Sequence, residues 1–374
     1  MKAIAVHPQT RKVQLVRHDR PQLARPTDVL VRILDVGVCG TDREICAFDY
    51  GTPPAGADYL VIGHEAFGQV LEVGPAVTRV RPGDFVVPMV RRPCDRPECR
   101  ACREDRQDFC YTGLFHERGI KEAHGFMTEL VVDDERYMNV VPPELRAIGV
   151  LAEPLTIAEK ALRQIDEVQT RLPWACPHQV GRRADFCHNA VVLGAGPVGL
   201  LGAMALAATG YRVTVYSREP APNPKAALVE SIGARYVSSG DVSPAKLAEV
   251  VGNIDLVYEA SGASAASFEL MAALGTNGVF VFTGVPGRKA PISLDADSLM
   301  KRMVLHNQVL FGTVNADRGA FENAVRHLAE FERLWPGAPG ALITGRFGVD
   351  EHERLLLGRQ SGIKNVIEIG RANA

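Results

Sequence analysis

The chain reads Val-Val-Leu-Gly-Ala-Gly-Pro-Val-Gly over residues 191–199. A glycine triplet alone is a weak signal, but here a short apolar strand precedes it and an apolar helix follows, which is the context that a dinucleotide-binding turn requires. The three glycines fit the tight turn, the close approach of the diphosphate and the packing of the helix on the strand. The helix N-terminus adds N–H donors for the diphosphate. The residues predicted to bind the coenzyme here are Gly194, Gly196, Pro197, Val198 and Gly199.

A strand–helix rhythm continues from this turn toward the C-terminus. Such alternation is typical of an α/β protein with a doubly wound parallel sheet. We therefore predict a Rossmann dinucleotide-binding domain over residues 189–314. Its predicted strands lie near 190–194, 212–217, 254–258 and 277–283, and its helices near 197–209, 225–233 and 264–273.

The residues before this domain have a different pattern. Short β-type runs broken by glycine and proline, as at 28–34, 68–74 and 84–88, favour a small barrel-like domain. A helical pattern then begins at Ala152 and ends near Asp166.

An irregular connection is predicted over residues 170–188. The tail from residue 315 contains an amphipathic helix and a final strand at 365–369, and we assign it, with residues 1–188, to the β-rich domain.

Composition narrows the possible functions. The 374 residues suffice for two cores, and 42 basic against 44 acidic side chains favour neither a nucleic acid nor a membrane surface as partner. Residues 189–211 are apolar enough to raise the question of a membrane span, but their glycines favour a buried soluble element. The N-terminus lacks the apolar stretch of a signal peptide, so we expect a cytoplasmic protein with reduced thiols.

Four of the eight cysteines are clustered in one loop with the spacing C-x4-C-x2-C-x7-C. Four thiolates this close can surround one tetrahedral zinc and leave no position open, which is typical of a structural site. The charged residues around them indicate an exposed loop. The predicted ligands are Cys94, Cys99, Cys102 and Cys110, while Cys39, Cys46, Cys176 and Cys187 lie elsewhere.

A second set of possible ligands is dispersed. Cys39 begins a Cys-Gly-Thr-Asp string, His64 and Glu65 follow a glycine, and Glu153 precedes a proline at the predicted helix start. A lone cysteine or histidine is more often a packed core residue. Together they supply sulfur, imidazole and carboxylate, a mixture that suits a zinc with one open position. We predict Cys39, His64 and Glu153 as ligands of a catalytic zinc, with Glu65 as an alternate ligand or base.

These strings resemble the zinc-dependent medium-chain alcohol dehydrogenases over essentially the whole chain, and within them the glucose/aldose 1-dehydrogenase branch. The resemblance rests on residues 37–42, 63–65, 113–120, 125–127, 153–155 and 159–162. It implies a GroES-like catalytic domain, a zinc-bearing lobe, and a homodimer or homotetramer. The cysteine loop has two more residues between its first two ligand positions than is usual, and positions near Val90 and Ile157 are apolar where this branch often has polar groups.

The resemblance also implies roles for individual residues. Thr41 is similar to the hydroxyl that relays the substrate proton, and Glu117 to an acceptor for a sugar hydroxyl. Asn307 or Asn315 is expected to line the site from the nucleotide side. The complete substrate-binding set is Thr41, Glu117, Glu153 and Asn315, the catalytic pair is Thr41 and Glu65, and Asn307 and Lys364 are further coenzyme-binding candidates.

The coenzyme is predicted to be NADP, with NAD possible. About 20 residues after the glycine turn, an acidic residue usually holds the 2′-hydroxyl of NAD. This chain has Ser217 and Arg218 there, which suit a 2′-phosphate, and Glu219 beside them leaves room for some use of NAD.

An open zinc beside a nicotinamide indicates hydride transfer at an alcohol carbon. We predict the oxidation of an aldose, D-glucose first, at C1 to its lactone. The alternative is a polyol or amino-alcohol dehydrogenase of the same superfamily, acting on sorbitol, xylitol or threonine. The complete ligand set argues against a zinc-free reductase and against a non-catalytic nucleotide-binding scaffold.

Overall fold

The structure is a computed structural model that describes residues 1–173, 188–287, 291–359 and 361–372. Most of the predicted irregular connection, including Cys176 and Cys187, lies outside the described residues. The strands are β1 (Lys2–His7), β2 (Lys12–Arg17), β3 (Asp28–Gly37), β4 (Leu60–Val61), β5 (Glu65–Val73), β6 (Phe85–Pro88), β7 (Arg91–Arg92), β8 (His116–Arg118), β9 (Glu122–Ala123), β10 (Leu130–Asp134), β11 (Met138–Val141), β12 (Asn189–Leu193), β13 (Arg212–Ser217), β14 (Arg235–Ser238), β15 (Leu256–Glu259), β16 (Val279–Phe282), β17 (Val309–Gly312), β18 (Ile343–Gly348) and β19 (Lys364–Glu368).

The helices alternate with these strands in the second half of the chain and are sparse in the first. They are α1 (Gly40–Cys46), α2 (Arg100–Arg103), α3 (Ala152–Gln169), α4 (Pro197–Ala208), α5 (Pro224–Ser231), α6 (Leu247–Val251), α7 (Ser264–Met271), α8 (Ala296–Leu305), α9 (Arg318–Leu334), α10 (Ala338–Ala341) and α11 (His352–Leu356). Short 3₁₀ turns occur at Gln107–Phe109, Glu135–Tyr137, Pro143–Leu145, Gly149–Leu151, Pro244–Lys246 and Val349–Glu351.

The chain forms two compact units. The first comprises Met1–Thr156, Asn315–Leu328 and Leu342–Ala374, and the second comprises Ile157–Val314 and Ala329–Ala341. Helices α3 and α9 each contribute residues to both units.

The first unit is built on a sheet in the order β11-β6-β5-β3-β19-β18, with β10 also paired to β3. Its central strand β3 is almost entirely buried, as expected for a run of Val, Leu and Ile with sheet on both sides. Gly37, the last residue of β3, pairs with Glu65 on one side and with Val366 on the other. The ends of β3, β5 and β19 therefore meet at one place.

The second unit contains a parallel sheet in the order β14-β13-β12-β15-β16-β17. This order confirms the doubly wound α/β class. The strands and helices predicted from the apolar rhythm lie within a few residues of their predicted bounds. The sequence analysis missed the two edge strands, β14 and β17, and the helices α6 and α8. Within the described residues, no helix has the length and apolar character that crossing a membrane requires.

Helix α4 begins directly after the glycine turn and packs closely on β12. A Cβ at Gly199 would lie 2.1 Å from the carbonyl oxygen of Gly194, so only a glycine allows this approach. A Cβ at Gly196 would meet nothing within 4 Å. Gly194 has φ +109°, a conformation that side-chain-bearing residues rarely adopt. In the free protein, the turn thus requires glycine at Gly194 for its backbone conformation and at Gly199 for close packing, whereas Gly196 has room for a side chain.

Gly199→Ala should destabilise the protein, because the added methyl group meets a backbone oxygen that cannot move without moving the turn. We expect a loss of about 1–3 kcal/mol in the free energy of unfolding, the usual cost of overpacking. Gly196→Ala is the matched control and should cost below about 1 kcal/mol, the range of an altered N-cap. Urea unfolding of both variants measures this, and equal losses would contradict the assignment.

Candidate active site

The strand ends in the first unit bring together three predicted zinc ligands. Cys39 follows β3 by two residues, and His64 and Glu65 stand at the start of β5. One ligand atom from each of Cys39, His64 and Glu65 lies within 4.8 Å of the others. His64 and Glu65 are buried, whereas Cys39 is half-buried. Sulfur, imidazole nitrogen and carboxylate oxygen are all zinc donors, so the residues present fit the ion.

Asp42 organises two of these residues, a role that the sequence analysis did not assign. Its Oδ2 accepts a hydrogen bond from the backbone N–H of Cys39 at 2.9 Å, and its Oδ1 lies 3.3 Å from Nδ1 of His64. The second contact is outside hydrogen-bond geometry, so it acts by charge. Burial lowers the pKa of His64, but Asp42 and Cys39 together raise it well above its ordinary value. A carboxylate behind a ligating histidine is a common support for metal ligands.

Lys364 lies behind Glu65, and its side chain is fully buried. Its ammonium forms an ion pair with Oε2 of Glu65 and donates to the carbonyl oxygen of Val38 at 3.2 Å. Burial lowers its pKa, but Glu65 and Cys39 outweigh burial and raise it. The structure therefore places Lys364 with the ligand cluster, because β19 pairs with β3 beside Cys39. Its role in coenzyme binding stays a prediction.

Glu153 is buried in the first turn of α3 and is outside the group of atoms within 4.8 Å. Burial is the main reason that its pKa rises to about 7, and the nearby Glu65 adds to the rise while His64 opposes it. Glu153 is thus close enough for the charges of Glu65 and His64 to change its pKa. Its role as the ligand predicted from sequence stays a prediction, and Glu65 is the carboxylate that lies with Cys39 and His64.

The four-cysteine loop forms the second candidate metal centre. Sγ of Cys94 lies 3.6 Å from Sγ of Cys102, and Sγ of Cys99 lies 3.8 Å from Sγ of Cys110. A tetrahedron with zinc–sulfur distances of about 2.3 Å has sulfur–sulfur edges of about 3.8 Å. A disulfide would require about 2 Å. The cluster therefore has the dimensions of a tetrahedral zinc site.

Thr112 contacts two members of this cluster, because its hydroxyl lies 3.3 Å from the sulfurs of both Cys94 and Cys110. Burial raises the pKa of Cys110, but hydrogen bonds from Thr112 and the neighbouring thiols lower it to about 6. Thiolates are the form that binds metal.

Two predicted substrate residues are in contact. Nδ2 of Asn315 donates to Oε1 of Glu117 at 2.7 Å, although the two are far apart in the sequence. Glu117 lies on β8, and Gly119 follows that strand. A Cβ at Gly119 would lie 2.4 Å from the carbonyl oxygen of Gly63, so the chain just after Glu117 passes close to the residue before His64. The third, Thr41, lies half-buried in the first turn of α1, two residues after Cys39.

The glycine turn joins β12 to α4 at the carboxyl edge of the second sheet, the edge at which such sheets bind nucleotides. Ser217 and Arg218 stand at the same edge, at the end of β13. Arg218 is exposed, and no carboxylate among the described residues pairs with it. Glu219 is instead neutralised by Lys225 at 2.5 Å.

Asn307 lies at the opposite edge of this sheet, so the structure does not bring it together with the other residues predicted to bind the coenzyme. It precedes β17 and has φ +49°, in a turn whose neighbour His306 accepts a hydrogen bond from Asn277, just before β16. These are the amino ends of the strands. The sequence analysis could not distinguish the two edges because it missed β17.

Glu259, at the carboxyl edge, was missed altogether. It is buried, and its Oε1 accepts hydrogen bonds from the backbone N–H groups of Ser261 and Gly262. Its Oε2 accepts one from the N–H of Gly284. One carboxylate thus holds the loops after β15 and β16. A single acidic residue at the end of a strand gave no pattern from which this could be inferred.

Comparisons with known proteins cover both units. Residues 25–143 match the family described as alcohol dehydrogenase GroES-like domain, and residues 146–369 match that described as glucose dehydrogenase C-terminus. The chain is 36% identical over 371 residues to a glucose 1-dehydrogenase of Methanocella arvoryzae, covering 99% of this chain and 100% of that protein. It is 36% identical over 370 residues to one of Thermoproteus tenax, covering 99% of each.

A solved structure with similar architecture is the Haloferax mediterranei glucose dehydrogenase in complex with NADP, Zn and gluconolactone. Its TM-score is 0.86 at 33% identity, and the match covers 99% of this chain and 100% of that chain.

The metal content should equal one zinc for each of the two clusters. Cys39→Ser should lose the zinc of the first cluster and keep the second, because serine is a much poorer zinc ligand than a thiolate. Cys102→Ser should lose the zinc of the four-cysteine cluster and keep that of the first cluster. It should also lower the melting temperature, since a structural zinc contributes to folding. Elemental analysis of purified protein measures this. One zinc or none in the unsubstituted protein would contradict the two-site interpretation.

Arg218→Ala should weaken NADP selectively, because the variant loses a cation at the position expected to meet the 2′-phosphate. The KM for NADP should rise about 10-fold to 100-fold, the cost of one charge-assisted hydrogen bond, and that for NAD should change less than about threefold. Arg212→Ala is the matched control, since Arg212 is exposed on the same strand at the opposite edge. Equal effects on both coenzymes would contradict the assignment.

Proposed function

This chain belongs to the glucose dehydrogenase branch of the zinc-dependent medium-chain alcohol dehydrogenases, and from that premise we propose that it oxidises an aldose at C1 to the aldonolactone. D-Glucose is the proposed substrate and NADP the proposed coenzyme. Glucose 1-dehydrogenases similar over the full chain support this choice. So does the solved relative whose complex contains NADP, Zn and gluconolactone.

The observation that carries the proposal is the cluster of Cys39, His64 and Glu65 at the meeting point of β3, β5 and β19. It combines three kinds of zinc donor, and half-buried Cys39 leaves a side open to a substrate. When bound, zinc supplies Lewis acidity toward the reacting hydroxyl and NADP accepts the hydride from C1.

The remaining roles belong to residues of the first unit. Thr41, in the first turn of α1, is proposed to take the proton from the C1 hydroxyl and pass it outward. Glu117 accepts a hydrogen bond from a sugar hydroxyl, and Asn315 fixes the orientation of its carboxylate. Glu153, with its pKa near 7, is proposed as a further ligand or as a contact to the sugar.

We propose the second unit as the coenzyme-binding domain. Gly194, Gly196 and the N-terminus of α4 hold the diphosphate, while Ser217 and Arg218 hold the 2′-phosphate. The pairing of Glu219 with Lys225 supports NADP, because it neutralises the one carboxylate in the segment 216–219. We further propose that the enzyme works in the cytoplasm, as a homodimer or homotetramer, which size-exclusion chromatography with light scattering would test.

A panel of substrates tests the proposed reaction. Initial rates with NADP should give the highest kcat/KM for aldoses, with D-glucose among the best, and the product should be the lactone. Sorbitol, xylitol and threonine should give kcat/KM values lower by about 100-fold or more, because a site built to hydrogen-bond a ring hydroxyl rejects analogues that leave its polar groups unpaired. Preference for a polyol or an amino alcohol in the same panel would contradict the proposal.

A further inference from the structure

Arg91 is a buried cation that the proposed function does not use. It lies on β7 directly opposite Glu117 on β8, and both residues are less than a tenth exposed. Its Nε and Nη2 both donate to Oε1 of Glu117, at 3.1 and 3.0 Å. The ring of Phe115 covers the guanidinium at 3.7 Å. The guanidinium is therefore fixed in orientation and shielded from water.

The pairing leaves one oxygen of Glu117 available. Oε1 accepts all three donors, two from Arg91 and one from Asn315. Oε2 accepts no hydrogen bond from the residues that the structure describes, and solvent can reach it. A buried carboxylate held by one oxygen, with the other open, is a preoriented acceptor for a hydroxyl group.

The other end of the guanidinium reaches the four-cysteine lobe. Nη1 of Arg91 lies 3.5 Å from the carbonyl oxygen of Gln107 and 3.3 Å from that of Asp108. The Gln107 carbonyl also accepts a hydrogen bond from the N–H of Cys110 at 3.1 Å. A continuous path of polar contacts thus runs from Cys110 through Gln107 and Arg91 to Glu117.

We propose that Arg91 is a positioning residue that orients Glu117 toward a sugar hydroxyl, using the four-cysteine lobe as its anchor. This inference rests on the proposed aldose-oxidising function and deepens it. Arginine suits the task because its planar fork reaches the carboxylate and the two carbonyls at once, whereas the single ammonium of lysine cannot. The four-cysteine site then supports substrate binding as well as folding.

A double-mutant cycle with Arg91→Lys and Glu117→Gln tests the link between the two residues. Arg91→Lys should raise the KM for D-glucose about 10-fold and change kcat less than about threefold, because a contact away from C1 contributes binding in the ground state and transition state alike. In the Glu117→Gln background, the same change should raise KM less than about twofold further, since interacting residues are not additive. If Arg91→Lys raised KM by the same factor with and without Glu117→Gln, the proposal would be overturned.

Arg92→Lys is the matched control. Arg92 is the next residue and is a half-buried cation, but it pairs with Asp133 at 2.6 Å and stacks on Tyr137. Its KM for glucose should stay within about twofold of the unsubstituted enzyme. A rise in KM equal to that of Arg91→Lys would mean a general loss of packing and would overturn the assignment. If Arg91→Lys does not fold, Arg91→Gln takes its place in the cycle.

Zinc release tests the link between Arg91 and the four-cysteine lobe without a measurement of catalysis. Titration of the thiols with a mercurial, followed with a chromophoric zinc chelator, reports how firmly the four-cysteine lobe holds its ion. Arg91→Lys should accelerate this release by about threefold or more, since two carbonyl contacts next to Cys110 are lost, whereas Arg92→Lys should not. Unchanged release in Arg91→Lys would overturn the link to the lobe. Failure of the proposed function would look different, because the unsubstituted enzyme itself would then not oxidise glucose.

Discussion

The candidate active site depends on one close approach between strands, that of Glu65 on β5 to Gly37 on β3. A Cβ at position 37 would lie 2.1 Å from Oε2 of Glu65, so any side chain there would displace the carboxylate. The absence of a side chain lets Glu65 turn toward Lys364 on the other neighbouring strand. The same register brings Cys39 and His64 beside it. The metal cluster is thus a consequence of sheet pairing.

Electrostatics explains why a cation belongs at this point. Asp42, Glu65 and Glu153 are all buried, and Lys364 is the nearby buried ammonium. Buried carboxylates carry a desolvation cost that only paired charge offsets. Burial is the main cause of the raised pKa of Glu153, and Glu65 adds to it, whereas Asp42 and Cys39 raise the pKa of His64 against the effect of burial. The buried carboxylates and the thiol thus place an excess of negative charge here. A divalent ion bound by Cys39, His64 and a carboxylate would remove that excess, as zinc does in sites of this composition.

The sequence could predict what depends on local patterns. The glycine turn, the alternating strands and the spacing of the four cysteines follow from periodicity and ligand chemistry, and the combination of sulfur, imidazole and carboxylate indicated the dispersed ligands. Pairing between distant strands could not be predicted in this way. Asp42 and Arg91 were missed because only the folded register brings them to His64 and Glu117. The position of Asn307 could not be predicted either, since a short edge strand such as β17 carries little periodic signal.

We expect a metal ion where β3, β5 and β19 meet. Diffraction data collected on both sides of the zinc absorption edge, from crystals grown with NADP, would locate it. An anomalous peak should lie within bonding distance of the sulfur of Cys39, the imidazole of His64 and a carboxylate, besides a peak among the four clustered cysteines. A peak at the cysteine lobe with none beside Cys39 would contradict this expectation.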